Sequence, residues 1–291
     1  MTTVTTDNSF KSLSLSDQLL SNLSSLGYHV MTPIQAASLP LLLQGEDVIA
    51  QAKTGSGKTA AFGLGVLSNL DVKKFRVQAL ILCPTRELAD QVAKEIRRLA
   101  RTVHNIKVLT LCGGMPFGPQ IGSLEHGAHI IVGTPGRIEE HIRKERLNLE
   151  HVNTLVLDEA DRMLDMGFQD TVDTIIDATP QKRQTLLFSA TYPKEIKVIS
   201  ERVMQSPKVV AVKEQRSEVT IEQRFFEVKD EVERRDAVLR LSFAAQPQSS
   251  IVFCNTRRAC NDVAEELRFH GLDALALHGD LEQRHRDQVW V

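Results

Sequence analysis

The stretch Gln51-Ala52-Lys53-Thr54-Gly55-Ser56-Gly57-Lys58-Thr59 decides the fold, because an apolar run leads into it and a helical pattern follows it. Gly55 and Gly57 can adopt positive φ, which lets backbone N–H groups turn toward phosphate oxygens. The helix that follows adds the positive end of its dipole. Lys58 is therefore predicted to reach the β- and γ-phosphates of a nucleotide, and the Thr59 hydroxyl to ligate Mg²⁺.

This phosphate-loop interpretation departs from its template at one position. The pattern G-x-x-x-x-G-K-[ST] requires a glycine where the chain has Ala52. A glycine-rich turn that merely starts a helix is the alternative, but the strand–loop–helix context favours a nucleotide site. We predict nucleotide contacts along the whole loop, from Ala52, Lys53, Thr54, Gly55, Ser56, Gly57, Lys58 and Thr59.

Short apolar runs recur along the chain and alternate with longer amphipathic segments. Uninterrupted apolar runs are typical of parallel strands that are buried on both faces. The alternation predicts an α/β fold with a doubly wound parallel sheet. The predicted strands of its first part are residues 47–50, 79–82, 108–111, 130–133, 154–157, 185–188 and 209–212.

The pattern divides the chain into two lobes. Residues 1–212 form the first lobe, and the polar segment 213–220 (KEQRSEVT), which has no period, is the predicted linker. The alternation resumes in residues 221–291, with strands predicted at 221–228, 251–253 and 274–277 and helices at 231–243 and 257–270. We expect this second α/β unit to be incomplete.

A second motif, Leu155-Val156-Leu157-Asp158-Glu159-Ala160-Asp161, ends an apolar run in carboxylates. Open α/β sheets bind ligands at the carboxyl ends of their strands, so Asp158 is predicted to lie beside the phosphate loop. Asp158 can hold Mg²⁺, largely through water, and Glu159 can deprotonate an attacking water. An ordinary acidic helix start is the alternative, and the phosphate loop 100 residues earlier argues against it.

Composition excludes several classes of protein. Apolar residues make up 42% and charged residues 25%, which excludes a wholly disordered chain. With 35 basic and 37 acidic residues, overall charge does not indicate nucleic-acid binding, and Arg97, Arg98 and Arg101 are interpreted as a solvated helix face. The four cysteines include no C-x-x-C pair, so no zinc site is predicted. We expect a cytoplasmic, monomeric protein with no membrane span.

Further motifs extend the pattern on both sides of the phosphate loop. Gly27-Tyr28 precedes Thr32-Pro33-Ile34-Gln35, and Ser189-Ala190-Thr191 follows the acidic motif. Taken with the two motifs above, these segments make the chain resemble the DEAD-box ATP-dependent RNA helicases, from Phe10 to about residue 288. The resemblance implies a RecA-like P-loop NTPase lobe followed by a partial second RecA-like lobe. It also implies an adenine-reading region at residues 10–38.

Site roles follow from this resemblance. It implies that Phe10 stacks on adenine, that Gln35 pairs with the adenine edge, and that ATP and Mg²⁺ are used. Residues that resemble the coupling segments of the family are Asp161, Ser189 and Thr191. Residues that resemble its RNA-binding segments are Thr85, Arg86, Gly114, Thr134, Pro135, Gly136 and Arg137 in the first lobe and Thr256, Gln283 and Arg286 in the second.

Within the family, the first lobe looks most like the bacterial branch called DEAD-box protein A, which acts on large-subunit ribosomal RNA. The chain lacks the Ala-Thr-Asp-rich loop and the arginine-rich motif that end the second lobe in the family. We therefore expect a truncated sequence. Two functions remain: an ATP-dependent RNA helicase, or a nucleotide- and RNA-binding fragment with little turnover. A DNA-directed helicase or another P-loop ATPase is a third, less favoured alternative.

Overall fold

A seven-stranded parallel sheet lies at the centre of the first part of the chain. The computed structural model describes residues 8–212, 222–283, 285 and 286. All strand pairs are parallel, and the strand order is β3-β4-β2-β5-β6-β1-β7. The strands are β1 (Val48–Gln51), β2 (Ala79–Leu82), β3 (Val108–Leu111), β4 (Ile130–Gly133), β5 (Thr154–Asp158), β6 (Gln184–Ser189) and β7 (Lys208–Ala211). Each of the seven strands predicted from the apolar runs is confirmed, with each end within one residue of its predicted position.

Helices connect these strands. Those of the first part are α1 (Asp17–Ser25), α2 (Pro33–Leu43), α3 (Lys58–Ser68), α4 (Arg86–Leu99), α5 (Phe117–Glu125), α6 (Pro135–Arg143), α7 (Ala160–Asp165), α8 (Gln169–Asp177) and α9 (Lys194–Val203). In the described residues, no helix is both long and apolar enough to span a membrane.

Successive strand residues enter two separate apolar layers. Ile81 belongs to the layer that contains Phe62 of α3, whereas its neighbours Leu80 and Leu82 belong to the layer that contains Ile175 of α8. This alternation follows from the pleat, which points consecutive side chains to opposite faces of a sheet. Both faces are buried, so every strand position can be apolar, and this explains the uninterrupted runs in the sequence.

The arginines at the end of α4 are not simply solvated. They are exposed, as predicted, but Arg97 donates a hydrogen bond to the Val108 carbonyl (2.9 Å), and Arg101 donates one to Asn22 Oδ1 (3.1 Å). Asn22 in turn donates to the Leu99 carbonyl at the end of α4 (2.7 Å). These guanidinium groups therefore hold α1 and β3 against α4, a role that sequence position alone does not reveal.

The chain divides into two compact units, residues 1–215 and residues 216–291. The second unit contains α10 (Glu231–Ala245) and α11 (Arg257–Phe269), close to the predicted helices. The strands predicted at 221–228, 251–253 and 274–277 are wrong in the described part of this unit, which has no strand. A strand needs a hydrogen-bonded backbone neighbour. No described residue pairs with these segments in this way, and Phe253 is 92% exposed. The predicted linker lies outside the described residues.

One buried carboxylate fixes the amino edge of the sheet. Asp47, just before β1, accepts hydrogen bonds from the backbone N–H groups of Thr185 (2.7 Å) and Gln205 (2.6 Å). Asp47 is almost fully buried. It therefore joins the starts of β1 and β6 to the loop before β7.

We expect Asp47→Ala to lower the free energy of unfolding of the first unit by about 2–4 kcal/mol, because two buried N–H donors lose their acceptor. Urea unfolding followed by circular dichroism measures this change. Asp165→Ala, which removes an exposed carboxylate, is the matched control and should change stability by less than about 0.5 kcal/mol. Equal stability of the two variants would contradict this role of Asp47.

Candidate functional site

The parallel sheet places most of the predicted site residues at one edge. In a parallel sheet, all strands end on the same side. The phosphate loop follows β1, Thr85 follows β2, and Thr134 follows β4. Asp158 and Ser189 are the last residues of β5 and β6. The loops at this carboxyl edge therefore form the candidate site of the first unit.

The phosphate loop is held closed by its own lysine. Gly55 and Gly57 adopt φ values of +82° and +94°, and Gly57 is the N-cap of α3, as the glycine pattern predicts. Lys58 is buried, and its Nζ donates a hydrogen bond to the Ala52 carbonyl (2.8 Å). The ammonium group thus already lies inside the loop. Of the other predicted contact residues, Thr59 and Ser56 are half-buried, and Lys53 and Thr54 are exposed.

Gln35 ties helix α2 to the phosphate loop. Its Oε1 accepts a hydrogen bond from the Thr32 N–H (2.9 Å), and its Nε2 donates one to the Gly57 carbonyl (3.1 Å). A primary amide has a second lone pair and a second N–H, so Gln35 retains capacity for a further partner. A Cβ on Gly57 would lie 2.6 Å from Gln35 Nε2, so a glycine is needed here for space as well as for its φ.

Phe10 is part of the core in this structure. Its side chain is 3% exposed, and its ring meets the ring of Tyr28 edge-on, with centroids 6.1 Å apart. A ring so enclosed offers no open face to an adenine in this conformation. The stacking role implied by the resemblance stays a prediction and requires a local change around Phe10.

The carboxylates after β5 lie in two different environments. Asp158 is 2% exposed, and burial raises its pKa to about 7, although the charge of Lys58 counteracts part of that effect. Glu159 has a left-handed backbone (φ 50°), and its Oε1 accepts a hydrogen bond from Thr54 Oγ1 (3.4 Å). Strand β6 lies between β1 and β5, so Asp158 is not on the strand next to the phosphate loop. The Thr54–Glu159 contact nevertheless links the two motifs.

The predicted coupling residues form a hydrogen-bonded bridge across this edge. Asp161 Oδ2 accepts from both the backbone N–H (2.9 Å) and the hydroxyl (2.7 Å) of Thr191. Burial would raise the pKa of Asp161, but the hydrogen bonds that its carboxylate accepts from Thr191, Ser189 and the Arg162 N–H together outweigh this effect, and the pKa is lowered overall. At the start of the same segment, the Ser189 carbonyl accepts from the Ala52 N–H (3.1 Å). The segment 189–191 therefore contacts the phosphate loop and the acidic motif together.

The loops after β2, β3 and β4 bring the predicted RNA-binding side chains of this unit together. The guanidinium of Arg86 packs against Gly114, where a Cβ would overlap it. The Gly113 N–H donates to Thr134 Oγ1 (3.4 Å), and Arg137 donates to the Met115 carbonyl (3.0 Å). In the same region, Thr85 caps α4, and Pro135 and Gly136 form the first turn of α6.

Three residues that support these loops were not predicted from the sequence. Gln120 and His141 are buried and joined through Oε1 and Nε2 (3.0 Å), and Gln120 also donates to the Cys112 carbonyl (3.0 Å). The ring of Phe117 stacks on His141 with a centroid distance of 4.3 Å. This cluster joins α5 to α6 behind Gly114 and Arg137. No sequence pattern signals it, because it depends on the packing of two helices.

The predicted site residues of the second unit have partners within that unit. Thr256 is the N-cap of α11 and accepts a hydrogen bond from the Ala259 N–H (3.1 Å). Arg286 donates to Gln283 Oε1 (3.5 Å).

The residues at the carboxyl edge fit a magnesium–nucleotide complex. Within the described ranges, no group of three or more His, Cys, Asp or Glu side chains forms a metal cage. Mg²⁺ does not require such a cage, since it usually keeps several waters and binds through one or two carboxylates and the phosphates of a substrate. The hydroxyl of Thr59 and the buried carboxyl of Asp158 supply hard oxygen ligands of this kind.

Comparisons with known proteins agree with this geometry. The DEAD/DEAH box helicase family model matches residues 32–199. The chain is 56% identical over 272 residues to the ATP-dependent RNA helicase DbpA of Escherichia coli, covering 94% of this chain and 59% of DbpA. It is 44% identical over 280 residues to the ATP-dependent RNA helicase CshA of Listeria monocytogenes, covering 96% of this chain and 54% of CshA. The chain thus spans less than two thirds of these relatives.

A solved structure gives the same result. The Saccharomyces cerevisiae protein Dbp5, bound to RNA and ADP BeF3, matches with a TM-score of 0.84 at 30% identity, covering 97% of this chain and 72% of that one. The prediction of a RecA-like α/β fold is therefore confirmed.

The buried histidine of the supporting cluster generates a pH prediction. Burial and the nearby charge of Arg137 lower the pKa of His141 to about 4, below its usual value near 6.5. Between pH 6.5 and pH 4, the imidazole of residue 141 binds a proton more readily in the unfolded chain than in the folded one. The contribution of neutral His141 to the free energy of unfolding is therefore complete above about pH 6.5 and is lost as the pH falls to about 4. We expect His141→Gln to reduce the loss of stability between pH 6.5 and 4.5 by about 2 kcal/mol. Urea unfolding at both pH values measures it, and equal losses in both proteins would contradict it.

Proposed function

The chain belongs to the DEAD/DEAH box helicase family, and from this membership we propose that it carries the nucleotide and RNA site of an ATP-dependent RNA helicase. The observation that carries the proposal is the bridge at residues 189–191. It joins the phosphate loop to Asp161 through the Ser189 carbonyl and Thr191. A change at the nucleotide is thereby transmitted to the neighbouring loops, which coupling of hydrolysis to strand separation requires.

In the proposed ATP site, each of a few residues has a separate role. Lys58 exchanges the Ala52 carbonyl for a phosphate oxygen, and Gln35 uses its remaining amide capacity on the adenine edge. Thr59 and Asp158 would hold Mg²⁺, which when bound neutralises charge that develops on the phosphates. Glu159 accepts the proton of the attacking water.

In the proposed RNA site, the loops contact the sugars and phosphates of the RNA. Arg86 and Arg137 can pair with phosphates through their forked guanidinium groups, and Arg137 would exchange its bonds to the Met115 carbonyl and to Glu140 for them. Thr85, Gly114 and Thr134 contribute hydroxyl and N–H groups. Contacts of this type do not depend on base sequence. The RNA-bound structure of Dbp5 supports RNA as the ligand. Contacts from Thr256, Gln283 and Arg286 are part of the same proposal.

We also propose action on large-subunit ribosomal RNA during ribosome assembly, because the first lobe resembles the bacterial branch called DEAD-box protein A. We further propose that the protein acts as a monomer in the cytoplasm. Binding of ATP and RNA without turnover is the alternative outcome for the 291-residue chain.

ATP turnover with and without structured RNA tests the proposed activity. We expect RNA-stimulated hydrolysis that Glu159→Gln lowers by at least about 100-fold, because the general base is removed while a group of similar shape remains. ATP binding without turnover would support the fragment alternative. Failure to bind either ligand would contradict the proposed function.

Gly114→Ala tests the RNA-binding loops. The new Cβ overlaps the Arg86 guanidinium, and the φ of +72° also disfavours alanine, so we expect about tenfold weaker RNA binding with ATP binding unchanged. Fluorescence anisotropy with a labelled RNA measures this affinity. Gly113→Ala is the matched control, because its Cβ meets nothing within 4 Å. Equal RNA affinities for the two variants would contradict this placement of Arg86.

A further inference from the structure

A basic loop with an exposed aromatic ring lies outside the site described above. Residues 71–76 read Asp-Val-Lys-Lys-Phe-Arg and precede β2. Phe75 is 54% exposed, and Lys73, Lys74 and Arg76 are exposed around it. A large exposed aromatic side chain between cations is a combination that binds nucleic acids, because bases stack on the ring and phosphates pair with the cations.

Hydrogen bonds to a buried glutamine hold this loop in one conformation. Gln78 is 4% exposed, and its Nε2 donates to the carbonyls of Asp71 and Lys74, both at 2.8 Å. Its Oε1 accepts from the Asp71 N–H (2.9 Å). A loop fixed in this way loses little conformational entropy when it binds a ligand.

A buried histidine supports the loop from below. His129 Nδ1 accepts a hydrogen bond from the Lys107 N–H (3.1 Å), so its Nε2 carries the proton and donates to the Val72 carbonyl (3.2 Å). The ring of Phe75 meets that of His129 at a centroid distance of 4.5 Å, and it also covers Gly127. Phe75 is therefore supported on its inner side, while its outer part stays exposed.

The charge of the loop is available to a ligand. Lys74 pairs with Asp71 (2.9 Å), but within the described ranges no ion pair or hydrogen bond occupies the side chain of Lys73 or Arg76. Arg97 and Arg101 differ, since both are hydrogen-bonded within the fold. The loop carries three cations and one carboxylate in a chain whose formal net charge is −2.

The loop lies at the opposite edge of the sheet from the candidate site. It precedes β2, whereas Thr85 and Arg86 follow that strand. Four strand residues span about 13 Å. A short RNA bound at the carboxyl edge does not reach this loop, whereas a longer strand can pass around the first unit to it.

We propose that Lys73, Phe75 and Arg76 form a second contact for single-stranded RNA, which holds strand beyond the segment bound at the carboxyl edge. Lys73 and Arg76 pair with phosphates, and a base stacks on the exposed part of Phe75. The proposal rests on the proposed function, because it assumes that RNA is bound at the first site. Two exposed cations that form no ion pair with the residues that the structure describes favour a polyanion over a protein partner.

Binding of two RNA lengths to the full chain tests the proposal. Lys73→Glu/Arg76→Glu should weaken binding of an RNA of about 30 nucleotides by about tenfold at low salt. It should also reduce the steepness of the plot of log binding constant against log salt concentration by about 1.4. Each lost phosphate contact to a single strand accounts for about 0.7 of this slope. Binding of an RNA of about 8 nucleotides, and of ATP, should not change. Lys182→Glu/Lys197→Glu makes the same charge change at two other exposed positions and should leave both RNA affinities unaltered.

The aromatic ring has its own pair of variants. Phe75→Leu keeps an apolar side chain against His129 but removes the stacking surface, so binding of the long RNA should fall about fivefold. Phe75→Trp, which keeps an aromatic ring at this position, should bind the long RNA as tightly as the unmodified chain.

The outcomes separate this proposal from the proposed function. If the unmodified chain binds neither RNA, both are overturned. If it binds both RNAs and the loop variants match the control, the loop proposal alone is overturned, and a protein partner becomes the alternative ligand. If the loop variants lost the same amount of affinity for the short RNA as for the long RNA, the loop proposal would also be overturned.

Discussion

Parallel strand pairing is the constraint on which the rest of the structure depends. Because all seven strands of the first unit run in one direction, their carboxyl ends and the loops that follow lie at one edge. Motifs that are about 130 to 140 residues apart in sequence, such as the phosphate loop and Thr191, become neighbours there. The same constraint separates residues 71–76 from that site by the length of β2. Strand direction therefore determines which side chains can act together.

Hydrogen bonds connect the residues of the candidate site to one another. Lys58 lies in the phosphate loop, Gln35 is bonded to the Gly57 carbonyl, and Ser189 is bonded to the Ala52 N–H. Such bonds restrict the motion of these groups, and groups that are held in place lose less conformational entropy when they bind a ligand. Asp158 illustrates the opposing cost, because burial of this carboxyl raises its pKa to about 7. A nearby cation lowers that cost, and Lys58 supplies one.

The features that could be predicted from the sequence are those that depend on local hydrophobic periodicity and on the spacing of residues in motifs. Runs such as 79–82 and 154–157 predicted buried strands because both faces of a parallel sheet are covered. The glycines of the phosphate loop predicted its backbone because few other residues adopt its φ values. Predictions failed where the formation of a strand depends on hydrogen bonding to a neighbouring strand. The apolar segments of the second unit have no strand neighbour among the described residues. The Gln120–His141 pair and the anchoring of residues 71–76 by Gln78 depend on tertiary contacts, which leave no periodic signal.

Equilibrium binding of ATP to the chain and to Lys58→Ala, measured by calorimetric titration, tests the central claim most directly. The claim is that the loops at the carboxyl edge form one nucleotide site in which the Lys58 ammonium replaces its bond to Ala52 with a bond to phosphate. We predict saturable ATP binding whose affinity falls at least about tenfold in the variant, while the fold is retained. Unchanged affinity in Lys58→Ala, or no binding to the unmodified chain, would contradict it.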